Sequence, residues 1–266
     1  MANDFKMMSQ AKYGIIHYGL GFFIFSLMKL RVKFKLNKAL DKKMAMAFLD
    51  FKQGGVDFSN GIINIHPELK ILIKNINIKE KQKISNAYFD KFYKKHNDYL
   101  KEQTIKFSAG WRVIENEFMH EVDMIFKGHR FPSGKYIGYL SIINCNPRFL
   151  DNKTFQIFYL HPQGVRYVTM HELLHFIFYD YAIKKFPKIF KKANTERGVF
   201  WDLAEIFNVI ILSSLEFKKI YGQKTVLPYH EHKKYITNLT ALWKKRQDID
   251  EWLSRSYKYL MAKKCA

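Results

Sequence analysis

The sequence predicts an α+β fold, mostly helical, with a small antiparallel sheet packed on one central apolar helix. Three observations carry this expectation. Long stretches repeat their apolar residues at helical spacing, two short β-branched and aromatic runs stand side by side near the middle, and an almost wholly apolar helix follows them directly. With 266 residues, 48% hydrophobic and 17% aromatic, the chain can bury a large core and is not a disordered polypeptide. Its division is expected as an N-terminal apolar and basic segment over 1–47 and one domain over 48–266 with helical N- and C-terminal parts.

Residues 13–28, YGIIHYGLGFFIFSLM, are apolar but carry His17 and three glycines. A spanning helix needs about 20 apolar residues, so this run is short. A buried helix or a membrane contact are the two readings, and the basic flank from Lys29 to Lys38 would keep the rest of a spanning chain in the cytoplasm. Residues 48–78 hold the turn pairs Gly54-Gly55 and Asn60-Gly61, with IINI and ILIKNINI read as short strands or buried loop. Lys79 to about Ile105 reads as one helix with Ile84, Tyr88, Phe92 and Tyr99 on its apolar stripe, and Trp111 to Phe126 as a second. Tyr136–Asn144 and Thr154–Leu160 read as strands of a hairpin joined through the turn pairs Asn146-Pro147 and Asp151-Asn152. After Pro162 and Gly164 comes the central helix, about Val165 to Lys184. A further apolar helix is expected from Thr195-Glu196 to Phe217, and the C-terminal region from Tyr235 to Lys264 is mainly helical.

The central helix contains His171-Glu172-Leu173-Leu174-His175, the pattern HELLH. Four residues advance an α-helix about 400°, so both imidazoles leave one face and can grip one metal ion while the glutamate between them reaches a bound water. Roughly 0.02 accidental matches are expected in a chain of this composition, which makes chance a poor explanation. Burial of three ionisable side chains among Val168, Leu173, Leu174, Phe176 and Ile177 costs several kcal/mol unless they are paired or metal-bound.

A hydrolytic zinc site needs a third protein ligand and one open position. Asp180 lies about 140° round the helix from His175 and points away. The extended pattern with a third histidine fails, because Phe178 and Tyr181 stand where glycine and histidine would be. Glu205, amid Leu203, Ile206, Phe207 and Val209, is the nominated third ligand; Glu196 and His232 are the alternatives. Asp202, one turn earlier, could orient a ligating imidazole. Leu227–Lys233, LPYHEHK, offers Tyr229, His230 and His232 as donors toward a developing oxyanion.

HELLH on a helix followed by a glutamate from a later helix resembles the gluzincin branch of the zincin metallopeptidases, over roughly Tyr136 to Phe217. The resemblance implies a zincin-like fold and Zn2+ held by His171, His175 and Glu205. It also implies Glu172 as catalytic base, a peptide or protein substrate, and substrate addition to a sheet edge ahead of the active-site helix.

Charge and cysteine content bound the remaining classes. The net charge of +21 permits an acidic partner, nucleic acid or anionic lipid, yet no helix-turn-helix or zinc ribbon accompanies it. Walker A, dinucleotide and serine-elbow motifs are missing too. Two cysteines, Cys145 and Cys265, fit a reducing compartment, so a cytoplasmic protein is expected, membrane-associated only if 13–28 is. Besides a zinc metallopeptidase, a catalytically silent zincin-like binding protein and a nucleic-acid-associated protease stay open.

Overall fold

The computed structural model describes residues 30–222 and 225–264, so the apolar run at 13–28 lies outside the described residues. The elements are β1 (Val32–Leu36), α1 (Lys38–Phe48), β2 (Lys52–Gln53), β3 (Val56–Asp57), α2 (Phe58–Ile65), a 3-10 helix (Pro67–Ile73) and α3 (Ile78–Phe126). They continue with β4 (Tyr136–Ser141), β5 (Arg148–Phe149), β6 (Thr154–Phe158), α4 (Gly164–Lys185), α5 (Pro187–Phe190), α6 (Gly198–Leu212) and α7 (Leu215–Tyr221). A 3-10 turn (His230–His232), α8 (Lys233–Lys245) and α9 (Ile249–Lys264) complete the order. The architecture is α+β and mostly helical, as expected.

The sheet corrects the expectation. It is mixed, in the order β1-β4-β6-β5, and the expected hairpin partners β4 and β6 run parallel, with Ile137 opposite Thr154 and Ser141 opposite Phe158. The chain between them holds two turns and its own strand, β5, which is the true antiparallel neighbour of β6. A parallel crossover needs about a dozen residues, and the stretch from 142 to 153 supplies them. A purely antiparallel pair forms elsewhere, between β2 and β3.

The other parallel partner of β4 is β1, with Val32 opposite Tyr136 and Leu36 opposite Leu140. The boundary expected at 47/48 therefore falls inside α1, whose Asp41 is fully buried against the sheet. Asp41 Oδ1 accepts from Ser141 Oγ (2.7 Å) and Gln156 Nε2 (2.7 Å), and Oδ2 accepts from Tyr93 Oη (2.6 Å) and the Ile142 amide (3.0 Å). One carboxylate thus ties α1, α3, β4 and β6.

Gly138 explains how aromatic rings cross this sheet. A Cβ there would lie 2.9 Å from Phe34 Cε1 and 3.1 Å from Phe155 Cε2, inside normal contact. Gly138→Ala is expected to destabilise the protein by about 1–3 kcal/mol through overpacking, read as a lower urea midpoint at unchanged slope.

Three further elements depart from the sequence reading. IINI and ILIKNINI are helical: the Asp57 side chain caps α2 at the Ser59 amide, Pro67 opens the 3-10 helix, and Ile62, Leu69 and Leu72 are buried at helical spacing. The two expected helices over 79–126 are one, α3, with its only non-helical residue at His96 (φ −111°, ψ 15°). Gly110 does not break it, and its carbonyl accepts from Arg166 Nε of α4 (3.1 Å). The expected 195–217 helix divides at Ser213-Ser214 into α6 and α7, which bend by 77°, with the Ser214 side chain capping α7. Among the described residues no single helix is long and apolar enough to cross a membrane.

The central helix matches its expected limits within a residue. Between Tyr167 and Tyr179, every residue of α4 except His171 is buried, and every residue of α6 from Phe200 to Leu212 is buried. These two helices form the middle of the domain, with β6 leading into α4 and α9 packed behind α6.

Candidate metal centre

Helical spacing places His171 and His175 on one face of α4, their Nε2 atoms 3.1 Å apart. The apolar surface of α6 packs on α4, Phe207 against Phe178 at 4.8 Å between ring centroids. Asn208 fixes the register, its Nδ2 donating to the His171 carbonyl (2.9 Å). One turn earlier on the same face, Glu205 reaches both imidazoles: Oε2 lies 3.3 Å from His171 Nε2 and Oε1 lies 3.3 Å from His175 Nε2. The three donor atoms lie within 4.8 Å of one another. These are the three residues nominated as ligands.

The site is deeply buried and charged. His175 is fully buried, Glu172 and Glu205 nearly so. Burial raises the Glu205 pKa, but the imidazoles of His175 and His171 outweigh it and hold the carboxyl well below its ordinary range. Burial and the neighbouring Arg148 push His175 down to about 3, which leaves the ring neutral at pH 7. For His171 burial also lowers the pKa, yet the hydrogen bond and charge of Glu205 more than compensate, and it rises. Glu172 is pushed up to about 7, chiefly by burial, and its Oε2 has no hydrogen-bond partner.

Arg148 is the functional candidate missed in the sequence reading. It projects from the edge strand β5 and its side chain is only 8% exposed. Its Nη1 lies 3.3 Å from Glu205 Oε1, and Nη2 donates to Tyr179 Oη (3.1 Å) and the Thr195 carbonyl (3.0 Å). Arg148 sits in a turn-rich stretch, where a lone arginine carries no burial signal; only the pairing of β5 with β6 turns it inward.

The remaining sequence candidates separate. Tyr229 lines the same cavity as His171, Glu172 and Glu205, its ring 5.3 Å from Trp201. His230 and His232 do not line it. His232 is buried with Nε2 2.8 Å from Asp202 Oδ1, and Lys264 from the end of α9 contacts the other oxygen of the same carboxylate. Asp202 is therefore engaged by His232 and Lys264 rather than by a ligand imidazole. Glu196 lines the cavity but is not in the three-residue group. Asp180 points away as expected, toward His129 Nε2 (2.7 Å) and Lys184 (2.9 Å).

The cavity has a volume of about 450 Å³. His171 and Glu205 of the three-residue group line it with Glu172, as does the Asn144–Arg148 segment on the way into β5. No protein-family model, curated protein or solved structure matches this chain.

Proposed function

We propose that this chain is a zinc-dependent metallopeptidase with a zincin-like, gluzincin-type site, in which His171, His175 and Glu205 hold Zn2+ and Glu172 is the general base. The observation that carries this reading is the convergence of two imidazoles and a carboxylate, from two separate buried helices, within 4.8 Å beside an uncommitted Glu172. The donor set fits the ion: two histidine nitrogens and one carboxylate oxygen are the ligands of hydrolytic zinc sites, with a further position left for water or substrate. A carboxylate this deeply buried is stabilised by a cation, and besides the charge of Arg148 the site brings it two imidazole nitrogens at 3.3 Å, suited to share a metal ion with it.

Bound zinc supplies Lewis-acid polarisation of a carbonyl and acidification of water. The chain's own groups do the rest. Glu172 accepts the proton of the attacking water and delivers it to the leaving amine. Its burial favours this exchange, because a carboxyl pushed up to about 7 both takes and gives a proton near neutrality. Tyr229, which lines the cavity, is the candidate donor for the developing oxyanion. Arg148 orients Glu205, so Arg148→Met is expected to weaken zinc binding about 10–100-fold in a chelator competition titration.

Metal analysis of the purified full chain tests the reading. One zinc per chain is expected in the wild type and none in His171→Ala or Glu205→Ala, with peptide hydrolysis lost alongside the metal. A wild-type protein that takes up no zinc removes the proposal. Zinc retained by Glu205→Ala moves the third ligand elsewhere.

A further inference from the structure

The cavity lined by His171, Glu172 and Glu205 also has an aromatic wall. Phe48 at the end of α1, Phe51 beyond it and Phe58 at the start of α2 form one aromatic cluster. Ring centroids are 5.2 Å apart for Phe48 with Phe51 and for Phe48 with Phe58, and 5.6 Å for Phe51 with Phe58. All three line the cavity together with His171, Glu172 and Glu205. Phe51 is 40% exposed and Val56, on the neighbouring strand, 38%. Folding therefore leaves aromatic and branched surface uncovered at a concave site, where an apolar ligand group gains most from burial.

The wall is fixed relative to the metal group. Gln53 Nε2 donates to the Glu196 carbonyl (2.6 Å), which ties the β2–β3 hairpin to the segment ahead of α6. At the hairpin tip Gly54 has φ +60°, and a Cβ there would meet the Tyr229 ring at 2.6 Å, so the backbone lies directly on that ring.

Charge narrows the occupant. The lining has four carboxylates, from Asp57, Glu172, Glu196 and Glu205, and one arginine. Both terminal nitrogens of that Arg148 are committed to Glu205, Tyr179 and Thr195. No lysine lines the cavity among the described residues, in a chain with 45 Lys+Arg against 24 Asp+Glu. The basic excess lies outside, and at the aromatic wall an anionic side chain would lose its water and meet Asp57, whose own partner Lys52 (2.9 Å) is already taken.

We propose that Phe48, Phe51 and Phe58 form the side-chain subsite of this enzyme, taking a large apolar residue (leucine, methionine or phenylalanine) next to the scissile bond and rejecting aspartate and glutamate. The assignment rests on the metallopeptidase reading above. It is tested by incubating the zinc-loaded full chain with a mixed peptide library and reading the cut sites by mass spectrometry. Leucine, methionine and phenylalanine are expected to exceed aspartate and glutamate by about 10–100-fold at one position flanking the cut. Phe51→Ala, at a partly exposed position, is expected to reduce that preference about tenfold with zinc stoichiometry unchanged. A flat profile at every position overturns the subsite, as does a preference that survives in both Phe51→Ala and Phe58→Ala.

If no peptide is cut, the hydrolase reading fails, and the subsite is judged by binding instead. Zinc-loaded Glu172→Gln is titrated against fluorescein-labelled hexapeptides differing only in a central leucine or aspartate, followed by anisotropy. Tighter binding of the leucine peptide by about tenfold or more, lost in the Phe51→Ala background, upholds the subsite. Equal affinities or no binding end it.

Discussion

Glu172→Gln is expected to lower peptide hydrolysis by about 10²–10⁴-fold while one zinc per chain stays bound. The substitution is nearly isosteric and leaves His171, His175 and Glu205 in place, so the donor set within 4.8 Å is untouched. What it removes is a carboxylate that can shuttle a proton, since an amide has no useful basicity near neutrality. Glu172 is 3% exposed and its Oε2 has no partner. Replacing it therefore breaks no ion pair, and the thermal midpoint should move little. Zinc content, circular dichroism and turnover of a cleavable peptide measured on one preparation separate the outcomes. Full activity in the variant would remove Glu172 from the chemistry, and loss of zinc would recast it as a ligand.

The largest stability effect is expected at Asp41, which is outside the three-residue group. Asp41→Ala leaves the donors of Tyr93, Ser141, Ile142 and Gln156 facing an empty, buried space. Hydroxyls can turn to other acceptors, but the Ile142 amide and the Gln156 amide cannot, so a loss of about 3–5 kcal/mol is expected. Against a usual total of about 5–15 kcal/mol, this lowers the thermal midpoint by roughly 10 °C. A drop of only a degree or two would mean that the network contributes nothing net.

The same residue sets a pH dependence whose sign is opposite to that of a surface carboxylate. Burial raises the Asp41 pKa from 3.8 to about 6, with the four hydrogen bonds pulling the other way. Between these values the folded chain holds a proton that the unfolded chain has released. Stability from this group is therefore complete below about pH 4 and is lost as pH rises through 6, by on the order of 3 kcal/mol at most. Asp41→Asn should flatten that slope in urea titrations run from pH 4 to 7.

Residues whose role is written in local periodicity were legible. HELLH placed two imidazoles on one helical face, and the greasy surroundings of Glu205 marked it as a carboxylate in need of a cation; in the structure the three stand together. The limits of α4 and the helical character of the C-terminal region, which divides into α8 and α9, followed from pattern in the same way. Errors fell where a pattern has two physical solutions. A short apolar run such as IINI fits a strand or a helix, and the Asp57 cap decided for the helix. Two strand-like runs a dozen residues apart fit a hairpin or a crossover, and the pairing of β5 with β6 decided for the crossover.

By itself, then, the sequence determined that two histidines at metal-binding spacing and the glutamate between them lie on a buried helix, and that one later carboxylate has reason to join them. Only the tertiary structure decided what surrounds that group. Arg148 reaches Glu205 because an edge strand turns it inward, and Asp202 is claimed by His232 and Lys264 because α9 packs behind α6. Phe48, Phe51 and Phe58 line the same cavity as His171 and Glu205 from more than a hundred residues away in the chain. Helical spacing is a property of four neighbouring residues and can be read along the chain. Contacts between distant segments depend on how the sheet orders its strands and how the helices pack, and no local pattern encodes them.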